Sequence, residues 1–317
     1  MTSSTVYVNC AFADQRVTGQ QRYAHELSAQ LPSEWLRVAP GGFWRRSRVL
    51  TWIWTLMVLP WLSRRGVLLS LTSRAPLWHP RHVLVVHDLF VLEHPEWYTT
   101  AYTKTHAPLL RWQLRSVRNL ITVSEPVQKA VARRWNRSPV IAPNAPSLLF
   151  SEHRMRPKIP PGLPGLRTGR YFVVVGSQEP RKNLRTLASA YTALSDAERQ
   201  EWPLVVVGGG ANVYRSSEIR WPPGTLVRGY VSDVELADLY AKSGAVLLAS
   251  LAEGFGLPLV EAAAAGAPRL VVSDIPVFRW ICGQQAVLML IAGNSCSVPA
   301  AGSSHLLGVF CWVASSS

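Results

Sequence analysis

Glu253-Gly254-Phe255-Gly256-Leu257-Pro258-Leu259-Val260-Glu261, continuing as Ala262-Ala263-Ala264-Ala265-Gly266-Ala267-Pro268, is the stretch on which the reading of this chain turns. Two glycines stand just ahead of Pro258, a residue suited to the first helical position, and Leu259 to Ala265 is a good helix former closed by Gly266 and Pro268. Backbone N–H groups at residues 254–257 therefore point out of a helix start, where a phosphate or sugar oxygen can be held. Glu253 lies before the helix and Glu261 about one turn inside it, so both can face one ligand. Carboxylates repel phosphate, so hydroxyl groups are their expected partners.

Working outward from this stretch, apolar strand-like runs alternate with helical patterns along the whole chain, which predicts parallel sheets in βαβ units. Strands are expected at Val6–Cys10, Val67–Leu71, Val83–Val86, Leu120–Val123 and Val140–Ala142, and helices at Gly19–Leu31, Leu50–Leu62, Tyr98–Arg118 and Glu125–Trp135. A second series follows: strands Tyr171–Val175, Leu204–Val207, Thr225–Arg228 and Ala245–Ala249, with helices Leu184–Leu194 and Asp233–Lys242. Between the two series, residues 151–170 are rich in proline, glycine and basic residues and read as an interdomain linker. The expected class is α/β, with two Rossmann-like doubly wound domains that bind ligands at the carboxyl ends of their strands, in the cleft between them. The boundaries read as 1–158, 159–283 and an atypical tail 284–317.

The 317 residues suffice for two domains with their own cores, and 48% hydrophobic with 16% charged residues is a globular composition. The net charge of +14 is unevenly spread. Residues 1–158 hold 21 Lys and Arg against 8 Asp and Glu, a balance of +13, whereas residues 159–317 come to +1. A basic first domain fits nucleic acid, an anionic membrane face or a phosphate-bearing substrate. No nucleic-acid motif accompanies the charge, so nucleic acid is not an expected partner. Val49–Leu62, VLTWIWTLMVLPWL, is flanked by arginines but falls short of the ~20 residues a span needs, so it reads as a core or interfacial helix. The start of the sequence lacks a basic region followed by an apolar core, so no signal peptide is expected. The four cysteines have no metal-like or disulfide-framework spacing, which suits a reducing compartment and predicts no metal.

Gly176-Ser177-Gln178-Glu179-Pro180-Arg181-Lys182-Asn183-Leu184 follows an expected strand and opens a helix. A glycine turn with two adjacent cations suits a diphosphate, because charge-assisted bonds add to the helix dipole. His87-Asp88 follows the strand Val83–Val86 and should sit at its carboxyl end.

Set inside EGFGLPLVEAAAAGAP, the Glu253/Glu261 spacing resembles the Glu-x7-Glu signature of retaining, nucleotide-sugar-dependent glycosyltransferases of family 4, which have the two-domain GT-B fold. The segment Gly176–Leu184 is similar to the family stretch whose lysine contacts the donor diphosphate, which makes Lys182 the first choice; Ser177 stands where many members have an arginine, leaving Arg181 as a substitute. Thr18-Gly19-Gln20-Gln21-Arg22-Tyr23 resembles the glycine loop that approaches the donor phosphate from the first domain. The resemblance implies catalytic roles for Glu253, His87 and Lys182. It implies donor contacts for Gly19, Arg181, Lys182, the amides of Gly254, Phe255, Gly256 and Leu257, and Glu261 on the ribose. Asp233 is expected at the cap of its helix or next to it, and Tyr230 is a candidate for base stacking.

The activity so implied is transfer of a hexose, such as mannose, from a GDP- or UDP-linked donor to a lipid-linked or cell-envelope polysaccharide acceptor. No cofactor beyond the donor substrate is expected. The expected place is cytoplasmic and peripheral, on the anionic inner face of the cytoplasmic membrane. The resemblance covers roughly residues 5–283. Residues 284–317 contain no Asp, Glu, Lys or Arg, which suggests a shifted frame or truncation and a second domain missing its last elements. The competing readings are an inactive remnant or binding module, and a GT-B sugar-nucleotide epimerase.

Overall fold

The computed structural model describes residues 5–13, 15, 18–156, 165–209, 214, 219–283 and 288–290. The chain divides into two compact units, the first running to Asn144 apart from Glu96–Thr99, the second starting at Ala145.

In the first unit six parallel strands stand in the order β2-β1-β3-β4-β5-β6. They are β1 Val6–Asn9, β2 Leu36–Val38, β3 Val67–Ser70, β4 His82–Val86, β5 Asn119–Thr122 and β6 Val140–Ile141. The order reverses between β1 and β3, and the helix Gly19–Gln30 follows β1 there. The expected helix 50–62 is present but irregular: α-helical over Arg48–Ile53, π-helical over Trp54–Val58 and α-helical again over Leu59–Ser63. β2, whose Leu-Arg-Val carries no apolar pattern, was not foreseen.

In the second unit the strands are β7 Phe172–Val175, β8 Leu204–Val207, β9 Thr225–Gly229, β10 Ala245–Leu248, β11 Leu270–Ser273 and β12 Leu288–Leu290. They lie in the order β12-β11-β10-β7-β8-β9, all parallel. Counted from β7 this is 3-2-1-4-5-6 read from the β9 edge, the doubly wound order whose switch point lies between the first and fourth strands, here β7 and β10. β8 and β10 are buried at every position, as parallel strands covered on both faces must be. Val173, Val205 and Val246 face a core with Leu259 and Phe278, whereas Phe172, Val174 and Leu247 face one with Leu187 and Tyr191.

Two expectations are corrected. Residues 151–155 are not linker: they end the helix Leu148–Met155, whose Phe150 is fully buried in the second unit. Exposed Ser151, Glu152 and Arg154 on its outer face masked the buried Phe150 and His153. Residues 157–164, the rest of the proline-rich segment, lie outside the described residues. The sheet pattern also does not stop at residue 283, because the backbone of β12 pairs with β11 from Val271/Leu288 to Ser273/Leu290. The remainder of the uncharged tail lies outside the described residues.

Candidate active site

The loops after β7 and β10 leave the sheet side by side at the switch point. Gly176 bonds through its N–H to the Val207 carbonyl at 3.0 Å. Gly208, at φ +130°, lies so close that a β-carbon there would stand 2.3 Å from the Gly176 oxygen, so only glycine fits. The stem of Lys182 lies across Gly176, where an added β-carbon would meet its Cγ at 3.3 Å. A 3-10 turn, Pro180–Lys182, then carries the chain to Asn183, which takes the left-handed conformation and receives a bond from the Thr186 hydroxyl at 2.7 Å. The helix Leu184–Thr192 starts there. The Leu251 N–H donates to the Arg181 carbonyl at 2.7 Å and ties the two loops together.

At this junction four charged side chains interlock. Lys182 Nζ stands 2.6 Å from Glu253 Oε1, and Arg181 Nη1 stands 2.6 Å from Glu253 Oε2. Arg181 Nε also reaches Glu179 Oε2 at 2.6 Å, and the Ser177 hydroxyl donates to the other Glu179 oxygen. The Ser250 hydroxyl donates to Glu253 Oε1 at 2.8 Å. Glu179, Lys182 and Glu253 are all nearly inaccessible to solvent. Burial alone would raise the Glu253 pKa, but Lys182 and Arg181, with the hydrogen bonds from Lys182 and Ser250, outweigh it and bring the value to about 2. Glu253 is therefore a carboxylate at neutral pH, held by two cations and a hydroxyl. The sequence did not foretell these partners: the loop after β7 delivers both cations to the same carboxylate.

Beyond Glu253 the chain turns through Gly254 and the buried Phe255, whose ring meets Trp280 edge-on at 6.1 Å. Gly256 caps the next helix in the left-handed conformation (φ 84°, ψ 46°), and a side chain there would strike Phe278 at 2.7 Å. Leu257 begins the helix Leu257–Ala265 with Pro258 second, and Gly266 ends it, again left-handed. In its first turn Pro258 has no N–H, and the Leu259 N–H donates to the Gly256 carbonyl at 3.0 Å. Glu261 is buried one turn inside. At the neighbouring helix Asp233–Lys242 the cap is Ser232, with Asp233 next to it: Ser232 and Glu235 form a reciprocal capping box, with bonds of 3.3 Å and 2.9 Å. The Ser-x-x-Glu spacing was legible and outranks a lone aspartate. Tyr230 is exposed.

The first unit brings its two predicted residues into one neighbourhood. Gly19 opens the helix Gly19–Gln30 after the uncapped Thr18, and Tyr23 of that helix packs edge-on against His87, ring centres 5.1 Å apart. His87 is buried at the end of β4, with Nε2 2.8 Å from the Leu71 carbonyl, so that nitrogen carries the proton. Burial lowers its pKa to about 4, against a smaller rise from that hydrogen bond, and the imidazole is neutral at pH 7. Asp88 accepts from the Phe90 N–H at 3.1 Å, and Ser124 accepts from Val127 at 3.4 Å; both hold local turns.

Sequence reading missed Glu179 and Ser250. The sign was present in Glu179-Pro180-Arg181-Lys182, a carboxylate within two residues of the arginine it orients, and in Ser250, three residues before Glu253.

Two parallel six-stranded sheets, with the charged cluster at the switch point of the second, define the class: the fold is that of the GT-B glycosyltransferases. The lipopolysaccharide-biosynthesis glycosyltransferase WaaG superposes with a TM-score of 0.63 at 13% identity, over 98% of this chain and 90% of that one. Residues 157–295 match the family model for glycosyl transferases group 1. The chain is similar to bacterial mannosyltransferases. It is 31% identical over 223 residues to the serotype-specific mannosyltransferase WbdA of Escherichia coli, a match covering 64% of this chain and 27% of WbdA. It is 29% identical over 223 residues to the O-antigen chain mannosyltransferase B of Escherichia coli, covering 66% and 57% respectively. The chain thus spans about a quarter of WbdA and just over half of the other relative.

Proposed function

We propose that the chain is a retaining hexosyltransferase that moves mannose from a nucleoside diphosphate donor, GDP- or UDP-linked, to a lipid-linked or cell-envelope polysaccharide acceptor. The observation that carries this reading is the meeting of Lys182 and Arg181, after β7, with Glu253, after β10, beside the start of the helix Leu257–Ala265. Breaking the bond between the anomeric carbon and the diphosphate oxygen builds negative charge on the departing phosphate. Two preorganised cations beside a helix start stabilise charge there, an effect worth about 10²–10³ in rate for a single well-placed donor. Glu253, ionised and engaged at both oxygens, is a poor nucleophile and holds no proton to give. Its role is to aim the two cations and orient the sugar. The leaving diphosphate then takes the acceptor proton as the new bond forms on the same face, with the amides of Gly254 to Leu257 and the buried Glu261 on sugar and ribose hydroxyls. Gly19 and the neutral His87 serve the donor phosphate and the sugar or acceptor.

Mass spectrometry of products from a panel of sugar nucleotides, with a lipid-linked mannosyl acceptor, tests the reading. It predicts a mass gain of one hexose and retained anomeric configuration by nuclear magnetic resonance. Release of free or epimerised sugar without transfer would favour the epimerase, and nucleotide binding with neither would favour a binding module.

A further inference from the structure

Residues 48–63 of the first unit bury Trp54 and Leu59 in the core, yet leave a second row of large apolar side chains facing outward. The inner row is Thr51, Thr55, Leu59 and Ser63, all buried, and three of these are hydroxyl residues that bond back to carbonyls four residues earlier at 2.7–3.1 Å. The outer row is Val49, Ile53, Met57 and Trp61, exposed by 66%, 43%, 70% and 61%. Four residues overshoot an α turn of about 3.6 residues. They fall short of the wider π turn, which here spans Trp54–Val58. The two drifts oppose each other, so the outer row stays in line along about 18 Å of helix. Arginines close both ends of the row: Arg46 and Arg48 before it, Arg64 and Arg65 after it, with Arg64 stacked on Trp61 at 4.4 Å.

The surface continues past the helix end. His79 Nε2 bonds the Ser63 carbonyl at 3.1 Å, and Arg81 bonds the Arg65 carbonyl at 2.5 Å, which fixes the loop bearing the exposed Trp78 beside Trp61 and the two arginines. Exposed indoles among arginines match the interfacial layer of a bilayer, where amphipathic rings sit at headgroup depth and cations meet anionic lipid. No helix among the described residues is long and apolar enough to cross a membrane. A second copy of the chain is a poor occupant, because it would bring like-charged arginine clusters together.

We propose that the outer row of residues 48–63 is a membrane-docking ridge that lies in the headgroup region of an anionic leaflet, with Ile53, Met57 and Trp61 inserted and the flanking arginines on lipid phosphates. The proposal rests on the transferase reading for its lipid-linked acceptor. Transfer to a water-soluble acceptor, measured without vesicles, tests that reading, whereas vesicle binding without donor tests the docking.

Co-sedimentation of the full chain with vesicles of phosphatidylglycerol and phosphatidylcholine in equal parts, against phosphatidylcholine alone, decides it. The chain should bind the anionic vesicles and be released by salt. Ile53→Ser with Met57→Ser should weaken binding at least about tenfold through lost apolar insertion, and Arg64→Gln with Arg65→Gln by a similar factor through lost lipid contact. Val140→Ser, equally exposed but on β6, should bind as the parent does. Parent-like binding by both double variants, or no binding by the parent, overturns the proposal. So does concentration-dependent self-association that the Ile53/Met57 variant abolishes while vesicle binding is unchanged.

Discussion

Lys182 Nζ and Glu253 Oε1 lie 2.6 Å apart although 71 residues separate them, because the loops of β7 and β10 leave the sheet as neighbours at its switch point. The ion pair is thus a product of topology: strand order alone brings the Gly176 and Glu253 segments together. An anion entering the cluster competes with Glu253 for both cations.

That competition makes Glu253→Gln informative. Removing one negative charge from beside Lys182 and Arg181 should tighten inorganic pyrophosphate binding on the order of tenfold, while transfer falls because the cations are no longer aimed. Titration calorimetry and initial rates read the two effects separately. A sugar covalently trapped on Glu253 by a slow donor analogue would contradict the cation-holding role.

The acid side of the stability profile should show two windows. His82 and His87 are buried neutral, with pKa values brought down by burial to about 3 and about 4 from the usual 6.5. The unfolded chain therefore takes up protons first, and stability falls as pH drops from 6.5 toward 4 for His87 and toward 3 for His82. Glu253 acts lower, since its pKa falls from 4.5 to about 2: its contribution is full above 4.5 and is lost between there and about 2. Urea melts at stepped pH should show both declines, and His82→Asn should flatten the upper one.

Gly208→Ala tests the closeness of the loops after β7 and β8. The residue sits at φ +130° and its new methyl would overlap the Gly176 carbonyl, so destabilisation of about 2 kcal/mol or more is expected by chemical denaturation. Gly19→Ala is the matched comparison. No atom lies within 4 Å of a β-carbon at Gly19, so stability should hold and any loss should appear in donor affinity.

Much of this was legible in the sequence because parallel strands buried on both faces, such as Leu204–Val207 and Ala245–Leu248, read as unbroken apolar runs. The left-handed caps Gly256 and Gly266 and the helix between them were legible for the same kind of local reason. β2 was not, since Leu-Arg-Val at a sheet edge carries no pattern, nor was β12, within a tail whose lack of charge hides any alternation. Lys182, Arg181 and Glu253 were each recognisable, but their mutual ion pairs depend on two loops far apart in sequence. The helix 48–63 was ambiguous for a physical reason: large apolar residues lie on both sides of it, Trp54 and Leu59 buried and Ile53 and Met57 exposed, and composition cannot say which side meets the core.

The central claim is that Lys182 and Arg181 at the β7/β10 switch point bind the donor diphosphate. Titration calorimetry of GDP and UDP against the parent chain and Lys182→Ala, with thermal melts to confirm folding, tests it most directly. The account predicts that the preferred nucleotide binds the parent and that Lys182→Ala weakens it by roughly tenfold to a hundredfold, the value of a charge-assisted phosphate contact of about 1.5–3 kcal/mol. Equal affinity of a folded Lys182→Ala variant for that nucleotide would contradict it.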